Sequence, residues 1–562
     1  MQLGSGAMSN SIDDLTQQSD VIFTIGGNAH EAHPVIGTYY TGAKKRGAKF
    51  ISADPRRIEI SNLADETGVF LQQKAGTDIA LINGMCNHII TNKLYNKQFM
   101  DERTQDFDAM WAVVEKYTPE YAAEITGVPA DKIKKAAEIY AAGPNSAINW
   151  GMGIAQRHNA VETVWCLANL AMLCGMIGRP GTGLNPLRGQ NNVQGACDMA
   201  CLPHFLPGYQ VLDPDFASFV AGVAGTDPEA AANNANAARK KFEDYWGVTL
   251  NPAHGKTSHE MVDASGTGEI KAMYFMGADP ATMNANSNHV IESLSKCEFV
   301  VVQDMWVTET AKLADVVLPG TSMAEKSNTY VNTERRIQLT TAAVTPVGNS
   351  KPDYQILIDL MEEFGVANKC RTPGEIMQEI ATLVPSWAGV DYDKINRRNT
   401  RFEGVRWPIA KGSDEGMRWL HSASFPVGKA KFFPVEWKTI AEPPCDEYPM
   451  VLVTIRSLWH YDNIEQSGKS KVLMELEPTG YLDIHPADMA KYGLKDGDKV
   501  KMTSRRGETY ATARTCNNIQ EGDVFSDFHH KGTHINKLTI DALDPVAKEP
   551  ELKACAIKIA KA

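Results

Sequence analysis

Cysteine is scarce in this chain, with 10 residues among 562, irregularly spaced. That excludes the paired framework of a disulfide scaffold and favours a reducing compartment, so a cytoplasmic location is expected. Long apolar runs are also missing. The best candidate, Val161 to Met176, carries Glu162 and Asn169, and no membrane span is expected. Positive charge is in deficit. A net charge of −12 argues against nucleic acid or an anionic membrane as partner, although it leaves room for a local basic pocket around a phosphorylated ligand. Met1 to Gly6 has neither the basic start nor the apolar core of a secretory signal. No GxGxxG fingerprint follows the first apolar strand, which argues against an ordinary NAD enzyme.

What is present is ordinary in bulk, at 43% hydrophobic and 22% charged residues. The length is too great for one core, and roughly three or four domains are expected. Val21 to Ile25 is a short apolar run ending in Gly26-Gly27-Asn28, as a buried parallel strand should. His33-Pro34 opens a helical stretch through Lys45, which Gly47 stops. Lys49 to Ala53 gives a second strand, tipped by Asp54-Pro55-Arg56. Ala130 to Ala142 places Ile133, Ala136, Ala137 and Tyr140 at helical spacing, and the strand Ser146 to Trp150 then closes on Gly151-Met152-Gly153. Polar or glycine-rich strand tips of this kind place a nucleotide at the carboxyl end of an α/β sheet.

The pattern returns further along. Ile270 to Phe275 ends in Met276-Gly277-Ala278-Asp279, a helix runs to Leu294, Phe299 to Gln303 is tipped by Asp304, and Ala314 to Pro319 adds a strand. The charged stretch Glu325 to Arg336 reads as a solvated loop. Ala410 to Asp446, rich in Pro, Gly, Ser and charge, reads as the linker. From Tyr448 the texture is β, with Met450 to Thr454, Lys499 to Thr503 and Glu508 to Arg514 as strands around tight turns. The expected architecture is α/β: a first doubly wound dinucleotide-binding domain over 1–190, a related second one over 191–322, a connecting segment over 323–440 and a C-terminal β-barrel over 441–562.

The segment Asn185 to Met199 carries the most chemistry. Arg188 is followed by Gly189, Gln190, Asn191, Asn192, Gln194 and Gly195, with no other charge before Asp198. A guanidinium is a planar fork that grips a carboxylate through two parallel hydrogen bonds. Carboxamides suit a polar heterocycle or an oxyanion, and glycines let backbone approach a bulky ligand. Composition alone equally allows a polar loop stabilised by its own amides.

This RGQNNVQG run, together with the stretch from Gly6-Ala7-Met8-Ser9-Asn10 to the Lys553 region, resembles the large subunit of molybdenum- or tungsten-dependent formate dehydrogenases. The resemblance implies a bis(pyranopterin guanine dinucleotide) cofactor, reversible oxidation of formate to CO2, and an electron-transfer subunit or iron–sulfur protein as partner. It implies that Arg188 contacts substrate and that Gly189, Gln190 and Asn192 line the pterin side of the loop. Asn28, Asp54 and Arg56 fall where one nucleotide half would lie, Gly151, Met152 and Gly153 resemble another cofactor-contacting turn, and Asp279, Gln303 and Asp304 form the second set. Arg456, His460, Asn536 and Lys553 match pterin-contacting positions of a six-stranded barrel. Thr454-Ile455-Arg456 departs from the commoner Thr-Gly-Arg, which puts the close backbone approach there in question. In relatives the 325–336 stretch packs near an iron–sulfur domain.

No metal ligand is assigned within this chain. Cys197 and Cys201, with Cys166 and Cys174 nearby, lack a clustered fourth ligand, and His529, His530 and His534 suit phosphate contact or solvent better than a metal. The family's [4Fe–4S] cysteines do not occur here. Its Cys or selenocysteine metal ligand would fall just upstream of Gly6. The expectation is a selenocysteine codon read as a stop, or a separate polypeptide carrying ligand and cluster; an isolated chain would then lack turnover, and a twin-arginine leader, hence a periplasmic location, stays open. Two alternatives remain: another reaction of the superfamily, such as nitrate reduction, and a non-catalytic cofactor-holding subunit.

Overall fold

The computed structural model describes residues 1–399 and 404–562. The first α/β unit is built on a five-stranded sheet with the order Val69–Leu71, Lys49–Ala53, Val21–Ile25, Ser146–Trp150, Gly183–Pro186. All its pairings are parallel. Val21–Ile25 is buried along its whole length, as a central strand covered on both faces must be. The helix Pro34–Arg46 starts on a proline at its first turn and stops at Gly47, whose φ of 103° only glycine adopts without strain. The strand order reverses between Val21–Ile25 and Ser146–Trp150. There the two glycine-rich tips meet: Gly153 N donates to Gly26 O at 2.9 Å, and a Cβ on Gly27 would lie 2.8 Å from Gly151 N. This crevice at the switch point is where open α/β sheets bind ligands.

The 410–446 stretch is not a free linker. Phe425, Phe432, Phe433 and Val435 are buried in the same core as Phe23 and Ile148. Ala430–Lys431 pairs in parallel with Thr104–Gln105, and Trp165 stacks on Phe433 at 4.1 Å between ring centroids. Asn169 fastens the strap from both sides, donating to Phe433 O at 2.8 Å and accepting from Phe433 N at 3.2 Å. Proline and charge gave the segment a linker's composition, while its few aromatic side chains supply the apolar area that docks it.

The second α/β unit has three parallel strands, in the order Val316–Pro319, Phe299–Asp304, Ala272–Met276. Val262 and the helix residues Val290 and Leu294 pack with Met273 on one face. The 325–336 stretch is also not a solvated loop. Asn328–Val331 and Arg336–Thr340 form an antiparallel hairpin, and its turn buries Glu334 and Arg335. Arg335 donates to the carbonyls of Met8, Ser9, Trp407, Met417 and Arg418, which satisfies a cation that charge patterning alone assigns to solvent.

The C-terminal unit is a closed six-stranded barrel, in the order Met450–Ile455, Asp523–Asp527, Tyr481–Ile484, Gly507–Thr515, Lys499–Ser504, Cys555–Lys561. Leu452, Leu482, Val500, Met502, Val524 and Ile557 fill it. All ten cysteines are free, and Cys166 and Cys174 are buried in the first core. Among the described residues no helix is long and apolar enough to cross a membrane.

Candidate functional site

A cavity of about 340 Å³ occupies the switch-point crevice, and the barrel closes it from above. Three strand tips contribute Gly26–Asn28, Asp54–Arg56 and Gly151–Gly153; the loop after Gly183–Pro186 contributes Arg188, Gly189 and Gln190; the barrel contributes Arg456, Asp462, Phe528 and Lys553. A second cavity, of about 780 Å³, lies at the tips of the second sheet. It is lined by Gly277–Asp279, Asp304–Trp306 and the Tyr461–Glu465 segment. Gln190, Met283 and Asp462 line both.

The Arg188 loop is held by its backbone. His33 Nε2 donates to Arg188 O at 2.6 Å, and Arg188 N donates to Thr333 Oγ1 at 2.9 Å. The guanidinium is half-buried and donates to Gly6 O at 3.0 Å and to Gln194 Oε1 at 3.4 Å. The rest of its donors meet no acceptor among the described residues. Among the described residues no acid pairs with it directly, Asp198 feeling its charge only at a distance, so a fork remains open for an anion.

The first cavity is rich in charge. Arg456 lies over the Phe528 ring at 5.3 Å and makes no hydrogen bond to a described residue. Lys553 donates to Thr454 O at 2.8 Å and Thr454 Oγ1 at 3.1 Å; burial, and then Arg456 beside it, push its ammonium down to about 7. Arg56 pairs with Glu31 at 2.8 Å. Burial raises the Asp54 carboxyl to about 6, against a backbone hydrogen bond from Arg56 N at 3.0 Å. In the cavity wall, buried Arg157 lies 3.3 Å from Glu551 and 3.8 Å from Asp78.

Among the described residues, two buried acceptors in this cavity, Asn28 Oδ1 and Asp462 Oδ1, have no hydrogen-bond partner, and in the second cavity the donor Trp306 Nε1 has none. Buried polar atoms without partners are costly, and a polar ligand that satisfies them removes the cost. Cations for phosphate, orphan acceptors for an amino-bearing heterocycle and glycine tips for close backbone approach together fit a guanine dinucleotide.

The sequence-derived candidates divide. Asn28, Asp54, Arg56, Gly151, Met152, Gly153, Arg188, Gly189, Gln190, Arg456 and Lys553 line the first cavity, and Asp279 and Asp304 the second. Asn192, Gln303, His460 and Asn536 line neither. Asn192 Oδ1 accepts from Val331 N at 2.9 Å. Gln303 is buried between Tyr274 and Asp353, because its strand position points it inside the sheet layer instead of off the tip. His460 hydrogen bonds Glu477 O at 2.7 Å, and Asn536 holds Thr282 O at 2.9 Å and Met283 O at 3.1 Å. These four are clasps behind the walls. Asp279 is itself largely committed, accepting from Thr310 N at 2.8 Å, Thr282 Oγ1 at 2.6 Å and Asn463 Nδ2 at 2.8 Å. His529 and His530 hydrogen bond Asp462 O and Asp527, respectively. Sequence reasoning missed Glu31, Arg157, Asp462 and Trp306. Arg157 follows the Gly151–Gly153 turn closely enough to have been included; no spacing marks the others.

Residues 2–363 match the family model described as molybdopterin oxidoreductase. The chain belongs to the molybdopterin oxidoreductase family. Residues 450–556, the barrel, match a molydopterin dinucleotide binding domain, so the dinucleotide fit of the cavities and the family agree. Among molybdopterin oxidoreductase relatives, the F420-dependent formate dehydrogenase subunit alpha of Methanocaldococcus jannaschii is 41% identical, covering 99% of this chain and 78% of that protein. Formate dehydrogenase H of Escherichia coli is 36% identical, covering 99% of this chain and 75% of that protein. The acetylene hydratase of Pelobacter acetylenicus shares the fold, with a TM-score of 0.75 at 20% identity over 100% of this chain and 80% of that one.

Proposed function

We propose that this molybdopterin oxidoreductase interconverts formate and CO2 at a molybdenum or tungsten centre held by two pyranopterin guanine dinucleotides. The observation that carries the reading is the Arg188 fork, fixed by its backbone at the wall shared with the dinucleotide cavity. Formate is a carboxylate with one transferable hydrogen. A guanidinium that grips both oxygens points the C–H away from itself and stabilises the substrate charge, which supplies orientation before chemistry. The near relatives named formate dehydrogenases support the same substrate.

When bound, the metal centre supplies the two-electron redox chemistry. The residues of this chain bind and orient. Arg456, Lys553 and Arg56 would hold phosphate, Asn28 and Asp54 a guanine edge or ribose, and Gly151, Met152, Gly153, Gly189 and Gln190 the approach to the pterin. Asp304, Trp306 and Asp279 would serve the second dinucleotide. Asn192, Gln303, His460 and Asn536 act as positioning residues behind these walls. An electron-transfer subunit or iron–sulfur protein would take the electrons.

The test uses the complex purified anaerobically from its native host. Formate-dependent reduction of a viologen dye is expected. Nitrate consumption by the reduced-dye complex, with formate inert, would overturn the reading.

A further inference from the structure

Outside both cavities, a surface cluster joins three segments that the chemistry above does not use. One ring nitrogen of His204, one of His254 and one carboxylate oxygen of Asp213 lie within 4.8 Å of one another. We propose that these three residues form a divalent-cation site of the zinc type.

The fold brings the ligands together without needing an ion. Asp213 is the N-cap of the helix Pro214–Ala224, and its Oδ1 accepts from Asp215 N at 2.9 Å. Its second oxygen faces outward and accepts from His254 Nδ1 at 2.7 Å. His204 stacks on Phe216 of the same helix, with centroids 3.9 Å apart and planes within 9°, which fixes the ring. The His204 and His254 rings stand 4.7 Å apart. Backbone bonds pin the segments: Leu212 N donates to His204 O at 3.0 Å, and Gly255 N to Pro203 O at 3.1 Å. The arrangement is thus preformed on rigid supports, as a specific metal site requires.

One observation sets the cluster apart from an ordinary surface ion pair. His204 Nδ1 is buried and has no hydrogen-bond partner among the described residues. A pinned imidazole with an orphan buried nitrogen, beside a second imidazole and an ionised carboxylate, is short of one cation. At the surface pair His289–Asp263, at 2.8 Å, the neighbouring His259 also has a buried unpartnered ring nitrogen, but among the described residues its ligand atoms do not converge within 4.8 Å as those of His204, Asp213 and His254 do.

Ligand chemistry selects the ion. Two imidazoles and one carboxylate suit zinc and similar borderline ions, whereas calcium and magnesium take oxygen sets. Ligand atoms at about 2.0–2.1 Å from a tetrahedral ion stand roughly 3.3 Å apart, so the His254–Asp213 pair would open slightly and His204 would close in. The fourth position is left to water. His254, whose side chain is 55% exposed, gives the ion a way in. The site would staple the stretch after Cys201 to the segment leading into Ser258 and Met261, all of which line the second cavity.

The test uses the full chain, freed of metal with a chelator and titrated with zinc alone against a chromophoric competitor, then with cobalt alone. One equivalent of zinc should bind, cobalt should give the intense visible bands of four-coordinate geometry, and zinc should raise the melting temperature. His254→Gln, at an exposed position that keeps the fold, should lower zinc affinity by roughly tenfold or more and abolish the bands. His289→Gln should change neither. Equal zinc binding by the wild type and His254→Gln, or cobalt spectra of the hydrated ion in both, would overturn the proposal.

Discussion

Gln190 Nε2 donates to Asp462 Oδ2 at 3.0 Å, and the two side chains together form the partition between the two cavities. The bond ties the Arg188 loop to the barrel, so the element that would grip substrate and the element that closes the dinucleotide site are positioned together. Asp462 takes a left-handed φ of 47°, and its other oxygen has no partner among the described residues. Gln190→Leu cuts the tie while keeping the volume. It is expected to lower formate turnover by roughly tenfold or more, with a smaller loss of metal content. Metal analysis beside a steady-state assay separates the two effects.

Lys553 makes the cofactor-free chain sensitive to alkali in a defined direction. Burial holds its folded-state ammonium near 7, well below the ordinary lysine value. Between that value and about 10.4 the unfolded chain binds the proton that the folded chain lacks, so stability rises with pH across this window. Below it the full penalty applies. Lys553→Met should be more stable than wild type near pH 7 in the cofactor-free form, and its urea midpoint should rise less between pH 7 and pH 10. A phosphate-bearing ligand reverses the order, because it pairs with the ammonium that methionine lacks.

Arg335 organises the hairpin turn that carries Thr333, the residue bonded to Arg188 N. Its guanidinium is fully buried and satisfies carbonyls from three distant segments; burial lowers it only to about 10, so it stays charged at neutral pH. Arg335→Ala leaves those carbonyls buried and unpaired. A loss of about 3 kcal/mol or more is expected, measured by denaturant unfolding.

Each cavity would take one dinucleotide. Acid extraction of the loaded enzyme should therefore release two guanosine nucleotides for each metal ion. Arg456→Ala removes the guanidinium over Phe528 and should lower that yield, read by chromatography of the extract.

Much of this was legible in the sequence. Val21–Ile25, Lys49–Ala53 and Ser146–Trp150 announce themselves because buried parallel strands are unbroken apolar runs and their tips need glycine. The RGQNNVQG loop was legible as a segment that reaches a ligand cavity, through Arg188, Gly189 and Gln190. What failed was long-range pairing. Nothing near Phe432 and Phe433 says that Trp165 and Asn169 wait for them, and nothing near Arg335 says that carbonyls some seventy to three hundred residues away will satisfy it. The same limit hid Asp462, whose role exists only once the barrel meets Gln190.

The most direct measurement is kcat/KM for formate in the cofactor-loaded enzyme, wild type against Arg188→Lys at equal metal content. Lysine keeps the charge but loses the fork. A fall of roughly a hundredfold or more, with retained metal, is the predicted result. An unchanged kcat/KM would contradict the account, because Arg188 would then not orient the substrate.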